Sequence, residues 1–180
     1  MKSIYQQYQK EIIPELKKRF GYSNYMACPR VEKVTINVGL GRALQDKSLL
    51  DVAKKSLEKI TGQKPVVTRA KNSIAGFKIR KGQIVGMKVT LRGKRMYHFL
   101  EKLLKITFAR VQDFRGISKK TVDTHGNLSV GIREHVVFPE IESEDIEHIH
   151  GLEISVTTTA KNQLEGLTLF QLLGFPFKEE

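Results

Sequence analysis

Two stretches of this chain alternate strictly between apolar and polar side chains, and that pattern limits the available folds more than anything else in the sequence. In residues 31–38, Val34, Ile36 and Val38 point one way and Lys33, Thr35 and Asn37 the other. In residues 85–92, Met87, Val89 and Leu91 oppose Lys88, Thr90 and Arg92. Successive side chains on a strand face opposite sides, so each stretch reads as a strand with one face buried and one open. Residues 128–133 and 152–158 read as two further strands and residues 66–69 as a short one.

Between the strands the period changes. Ile4, Tyr8, Ile12, Leu16 and Phe20 recur at steps of four and predict a helix, which Pro14 should kink before a second short helix starts at the proline. Leu49, Ala53, Leu57 and Ile60 predict a helix that stops at Gly62. Residues 94–110 give the strongest helical signal, with Met96, Leu100, Leu103 and Leu104 inward and Lys102, Lys105 and Arg110 outward. A last helix should start at Asn162, with Glu165 completing a capping box, and end before Gly174. Residues 70–86, rich in glycine and lysine and without periodicity, read as a long loop or loose hairpin.

The regular strand, helix, strand rhythm of a doubly wound sheet is missing. The expectation is therefore an α+β fold, a mainly antiparallel sheet with helices on one face and an open polar face, in a ferredoxin- or RRM-like arrangement. With 180 residues and 40% hydrophobic content, one domain spanning 1–180 can bury roughly 70% of its unfolded surface, with a flexible basic loop at about 70–86.

Charge is concentrated. Residues 61–120 hold sixteen basic and two acidic side chains, a formal charge of +14 that exceeds the +12 of the whole chain. The first sixty residues carry +6 and the last sixty −8. A localised basic zone is the electrostatic footprint of a polyanion binder. No apolar run approaches the ~18 residues of a membrane span, and polar residues at Gln6, Gln7, Gln9, Lys10 and Glu11 leave no apolar signal core, so no membrane partner is expected. A single cysteine, Cys28, excludes an intrachain disulfide and suits a reducing compartment such as the cytoplasm. It is expected to be a small packed residue rather than a reactive thiol.

Motifs for chemistry are absent or incomplete. Gly39-Leu40-Gly41 follows a strand as a dinucleotide-binding turn would, but the third glycine position is Leu44. His148 and His150 beside Glu144 and Glu147 are conceivable metal ligands, yet an acidic surface connection with two histidines requires none. His98, His125 and His135 stand isolated from any serine or cysteine nucleophile pattern. No catalytic residue, cofactor or metal is expected.

If helices cover the apolar sheet face, the other face presents Thr35, Asn37, Lys88, Thr90, Arg92, Ser129, Arg133, Ser155, Thr157 and Thr159. Small hydrogen-bonding groups with a few cations suit sugar hydroxyls and phosphates, although any solvent-facing sheet is rich in Thr and Ser. That face carries no aromatic, which disfavours single-strand recognition by base stacking and leaves folded RNA. The stretch 71–82, with Lys71, Lys78, Arg80 and Lys81, is a second candidate for phosphate contacts, or else a solvated loop.

Longer motifs point to a family. The runs 62–77 (GQKPVVTRAKNSIAGF), 89–93 (VTLRG), 113–116 (DFRG), 138–141 (FPEI) and 173–177 (LGFPF) closely resemble the family of ribosomal protein five of the bacterial large subunit, over essentially the full length. The resemblance implies a protein of the central protuberance that binds 5S rRNA and joins it to large-subunit rRNA. It also implies contact with P-site tRNA, an intersubunit bridge to a small-subunit head protein, and proximity to other 5S-binding ribosomal proteins. By position it places 5S rRNA contacts at Asn37, Gln63, Thr90 and Arg92, with Thr35 and Lys88 on the same face. It places a tRNA-binding loop at Lys71, Ser73, Gly76, Phe77, Lys78, Arg80 and Lys81, and bridge contacts around 110–116 and 140–150. The implied location is a ribosome, cytoplasmic or organellar. A free-standing, unselective RNA or DNA chaperone is the alternative reading, and a nucleotide-using enzyme, weakened by Leu44, a third.

Overall fold

The computed structural model describes residues 3–41, 48–141 and 149–178. Strands β1 (Val31–Gly39), β2 (Val66–Arg69), β3 (Ile84–Leu91), β4 (Leu128–Ile132) and β5 (Leu152–Thr158) form a five-stranded antiparallel sheet in the order β2-β3-β1-β5-β4. With its helices this is the α+β class that the alternation required. Val34, Ile36 and Val38 of β1 are fully buried, as are Met87, Val89 and Leu91 of β3 and Ile154 and Val156 of β5. Their alternate neighbours Thr35, Asn37 and Thr90 are half-buried, and Lys88 is exposed. Val130, which alternates with the open-face Ser129 and so belongs by spacing to the apolar side, is only half-buried; β4 is an edge strand and lacks a neighbour on one side.

The chain divides into two compact units. The first comprises Met1–Val34, Leu91–Val130 and Ser155–Glu180. Its opening helix runs as α1 (Ile4–Gln7), a π turn (Tyr8–Ile12) and α2 (Ile13–Phe20). Ser3 and Gln6 form a reciprocal capping box at its start. Pro14 sits in the first turn of α2. Because proline cannot donate to the carbonyl four residues back, the preceding turn widens, with the Ile13 N–H bonding Tyr8 O. The second short helix expected at the proline is thus present, joined to the first through a π turn, and Ile4, Tyr8, Ile12 and Leu16 are all buried. A second π turn (Leu103–Thr107), with no proline beside it, joins α4 (Gly93–Lys102) to α5 (Phe108–Arg110), with Met96, Leu100 and Leu103 buried and Leu104 half-buried.

The last helix of this unit, α6 (Gln163–Leu172), is capped by Asn162, whose side chain accepts the Glu165 N–H at 2.9 Å. The Glu165 carboxylate takes the N–H of Lys161, one residue before the cap, at 2.9 Å. It therefore serves the helix entry, but not as the reciprocal box expected. The helix closes with Gly174 at φ +89° and with bonds from Gly174 N to Gln171 O and Phe175 N to Phe170 O. That pattern satisfies carbonyls left open at a helix end and needs the left-handed conformation that glycine adopts most easily. Cys28 is buried, and burial pushes its thiol up, which keeps it protonated and packed.

The second unit comprises Thr35–Thr90 and Gly131–Ile154. Helix α3 (Ser48–Thr61) buries Ala53, Leu57 and Ile60 and ends at Gly62, φ +64°. β2 pairs antiparallel with β3 from Val66↔Lys88 to Thr68↔Gly86, then a bulge shifts the register between Thr68 and Arg69. Gly86 lies at that irregularity, and a Cβ on it would stand 2.5 Å from Val38 O. Only glycine lets β1 and β3 approach this closely.

Candidate nucleic-acid interface

Within the second unit, the polar sides of β1 and β3 carry Thr35, Asn37, Lys88 and Thr90. The chain reaches β3 just after α3. There the Thr61 hydroxyl donates to Leu57 O at 2.6 Å and lies 3.0 Å from Gln63 O, while the Gln63 N–H donates to Thr61 Oγ1 at 3.2 Å. This turn aims the Gln63 side chain at β3, where its Nε2 donates to Thr90 O at 3.3 Å. Gln63 and Thr90, 27 residues apart in sequence, are thereby brought together. Asn37 and Thr35 stand on the strand next to β3. Amides and hydroxyls that both donate and accept, with one exposed ammonium at Lys88, can answer ribose hydroxyls and phosphates together.

Arg92 belongs to the other unit. It is exposed, immediately precedes α4, and donates from Nη1 to Glu32 Oε1 at 3.4 Å. An ion pair this open to water contributes little to stability, so the guanidinium can exchange partners at small cost. In the same unit the hydroxyls of Ser129 and Ser155 lie 3.2 Å apart.

Residues 70–83 form a closed hairpin that prolongs β2 and β3. Ala70 N bonds Gln83 O and Gly82 N bonds Ala70 O; further out, Ile74 and Ile79 exchange both backbone bonds, at 2.9 and 3.1 Å. Side chains brace it, with Ser73 Oγ accepting Lys81 N–H, Gln83 Oε1 accepting Arg80 N–H, and Arg69 Nη1 donating to Gly82 O. The tip is a short 3-10 turn, Ala75–Phe77, followed by Lys78 in the left-handed region at φ 55°. Lys71, Ser73, Gly76, Phe77, Lys78, Arg80 and Lys81 line this hairpin, and all of them are exposed. A Cβ at Gly76 would meet nothing within 4 Å, so this glycine leaves the tip open without being required by the turn.

One pair escaped the sequence. His135, read there as isolated, is fully buried and stacks on His150, ring centroids 4.1 Å apart and planes within 3°. The His150 N–H donates to His135 Nδ1 at 3.3 Å, and His135 N–H to His150 O at 3.0 Å. Burial, then the neighbouring His135, hold the His150 imidazole down at about 4 from its ordinary 6.5. Fifteen residues separate the two, so no local pattern announced the pair. His148, Glu144, Glu147 and most of the acidic run lie outside the described residues. Among the described residues no three His, Cys, Asp or Glu side chains gather as metal ligands, and no helix is long and apolar enough to cross a membrane.

A polar sheet face beside a braced cationic hairpin, in a chain whose positive charge is focused in the same stretch, defines a class of basic α+β protein suited to polyanions. Residues 24–80 match the family model described as Ribosomal protein L5, and residues 84–177 match the model for the C-terminus of the same ribosomal family. A relative from Halothermothrix orenii (strain H 168 / OCM 544 / DSM 9562), Large ribosomal subunit protein uL5, is 51% identical over 179 residues, covering 99% of this chain and 100% of that protein. The chain belongs to the ribosomal protein L5 family.

Proposed function

We propose that this chain is a non-catalytic structural constituent of the large ribosomal subunit that binds 5S rRNA through Asn37, Gln63 and Thr90 together with Thr35 and Lys88 of the same unit, and separately through Arg92 of the other unit. It links 5S rRNA to large-subunit rRNA and stands near other 5S-binding proteins. The hairpin around Lys71, Ser73, Gly76, Phe77, Lys78, Arg80 and Lys81 reaches P-site tRNA, and the connections at 110–116 and 140–150 take part in a bridge to a small-subunit head protein of cytoplasmic ribosomes. The observation that carries the reading is the hydrogen bond of 3.3 Å from the Gln63 side chain to the Thr90 main-chain carbonyl, which holds two distant members of the expected contact set side by side. The name of the 51% identical relative supports assembly into the large subunit.

The face and the hairpin differ in chemistry, and that separates their tasks. On the face, hydroxyls and amides distinguish RNA from DNA by reaching 2′-hydroxyls. On the hairpin, cations neutralise phosphates without regard to sequence. Replacing Asn37 or Thr90 by alanine should weaken 5S rRNA binding, whereas neutralising Arg80 and Lys81 should leave it largely intact and impair translation. Filter binding at several salt concentrations with bulk RNA as competitor tests both points. Equal loss of 5S binding from the two changes would refute the division of labour. Indifference to competitor identity would favour an unselective chaperone.

A further inference from the structure

Phe77 is the one exposed member of the nine phenylalanines, at 73% relative exposure, and Ile74 on the same hairpin tip is 48% exposed. Aromatic side chains that large normally enter a core, yet this one stands at the end of a braced hairpin. It is not there for want of order. Paired backbone bonds at Ala70/Gln83 and Ile74/Ile79 and the Ser73, Gln83 and Arg69 side-chain braces fix the tip in advance, so binding need not order it first.

The surroundings of the ring are cationic. Lys71, Lys78, Arg80 and Lys81 flank it, and the sequence carries no carboxylate between Glu58 and Glu101. A ring and one aliphatic side chain offer far less area than the ~800 Å² per partner of a stable protein contact, but they match the face of a single base. We propose that the tip is a base-stacking site, in which Phe77 covers an unpaired or terminal base of a folded RNA while the four cations hold the phosphates on either side. This rests on the reading of the hairpin as a tRNA-contacting element and adds how it grips: by an exposed base as well as by charge. The polar sheet face, which lacks aromatics, and the tip then recognise RNA by different means.

The chain contains no tryptophan, so Phe77→Trp introduces a single indole at the tip, and stacking on a base quenches its emission. The experiment titrates the full-length variant with a transfer RNA transcript, with 5S rRNA and with heparin, and follows Phe77→Ala and a Lys78→Ala, Arg80→Ala, Lys81→Ala triple variant by anisotropy of labelled RNA across salt. Stacking predicts quenching by the transcript but not by heparin. Phe77→Ala should bind the transcript roughly 5- to 150-fold more weakly at an unchanged salt slope, the range of one base stacked on an aromatic. The triple variant should lower the salt slope by about three. An unquenched indole at saturating transcript, or Phe77→Ala binding like the unmodified chain, overturns the stacking proposal and leaves tRNA contact standing. Quenching by 5S rRNA with no binding of the transcript keeps the stacking site and removes the tRNA reading on which it was placed. Blue-shifted, unquenched emission from the indole within assembled ribosomes puts the ring in a protein pocket and overturns the proposal. Failure to bind any RNA overturns both.

Discussion

Gly86→Ala probes the sheet where face and hairpin meet. The added Cβ would lie 2.5 Å from Val38 O and 3.1 Å from Thr68 Oγ1, and contact below 3.0 Å forces something to move. Val38 O is backbone in a central strand, so no side chain can swing aside; β1 and β3 must separate by at least about 0.5 Å to reach that limit. The same displacement applied to the Leu40 N to Val85 O bond, now 2.9 Å, takes it to about 3.4 Å, the edge of useful geometry. Overpacking of this kind costs about 1–3 kcal/mol, and one weakened ladder bond adds ~1 kcal/mol. Against this, alanine restricts the unfolded chain and returns about 0.4–1 kcal/mol. The net expectation is a loss of about 2 kcal/mol, a large part of the 5–15 kcal/mol that stabilises a typical domain. Urea denaturation followed by circular dichroism measures it, with Gly76→Ala as control: nothing lies within 4 Å of a Cβ there and φ is outside the left-handed region, so that change should fall within ~0.5 kcal/mol. 5S rRNA binding should weaken in Gly86→Ala alone, because Asn37 and Lys88 sit on the strands that part. A Gly86→Ala midpoint indistinguishable from the unmodified chain, with intact amide protection in β1 and β3, would refute the reasoning.

Three further expectations follow from particular contacts. Since the folded His150 resists protonation until about 4 while an unfolded histidine titrates near 6.5, the unfolded state binds more protons between these values. Stability should therefore fall as pH drops from about 6.5 to 4, by up to ~3 kcal/mol, and comparing urea melts of the unmodified chain and His150→Phe at pH 7.5 and 4.5 should show a shallower acid loss in the variant. A Cβ on Gly166 would stand 2.4 Å from Gly126 Cα, backbone against backbone; Gly166→Ala should cost more than ~3 kcal/mol or prevent folding, and an unchanged thermal midpoint would sink this account of how α6 meets the 123–127 turn. Asn162→Ala removes the side chain that accepts the Glu165 N–H at 2.9 Å and should cost about 1 kcal/mol in the same melts.

Much of the fold was legible because strands and helices announce themselves by period. β5 was read at its observed bounds, and the apolar members of the β1 and β3 alternation, Val34, Ile36, Val38, Met87, Val89 and Leu91, are all buried. The stripe Ile4, Tyr8, Ile12, Leu16 was legible as well, but not the π turn that carries it past Pro14, because widening by one residue leaves the apolar spacing intact. For the candidate site, alternation singled out Thr35, Asn37, Lys88 and Thr90, while Gln63 came only through resemblance: it follows a helix end and belongs to no periodic run. Phe77 was named with its loop, but nothing local distinguished an exposed ring from a core one.

The sequence by itself determined the class of elements, the separation of positive charge from negative, and the family, since these depend on periodicity, composition and long motifs that are written locally. Only the tertiary structure decided that Gln63 bonds Thr90, that His135 stacks on His150, that Gly86 admits the Val38 carbonyl, and that residues 70–83 close into a braced hairpin with Phe77 at its tip. The physical reason is common to all four. Each depends on which distant backbone or side-chain atoms the sheet and its turns bring within a few ångströms, and hydrogen bonds and steric contact act only at that range.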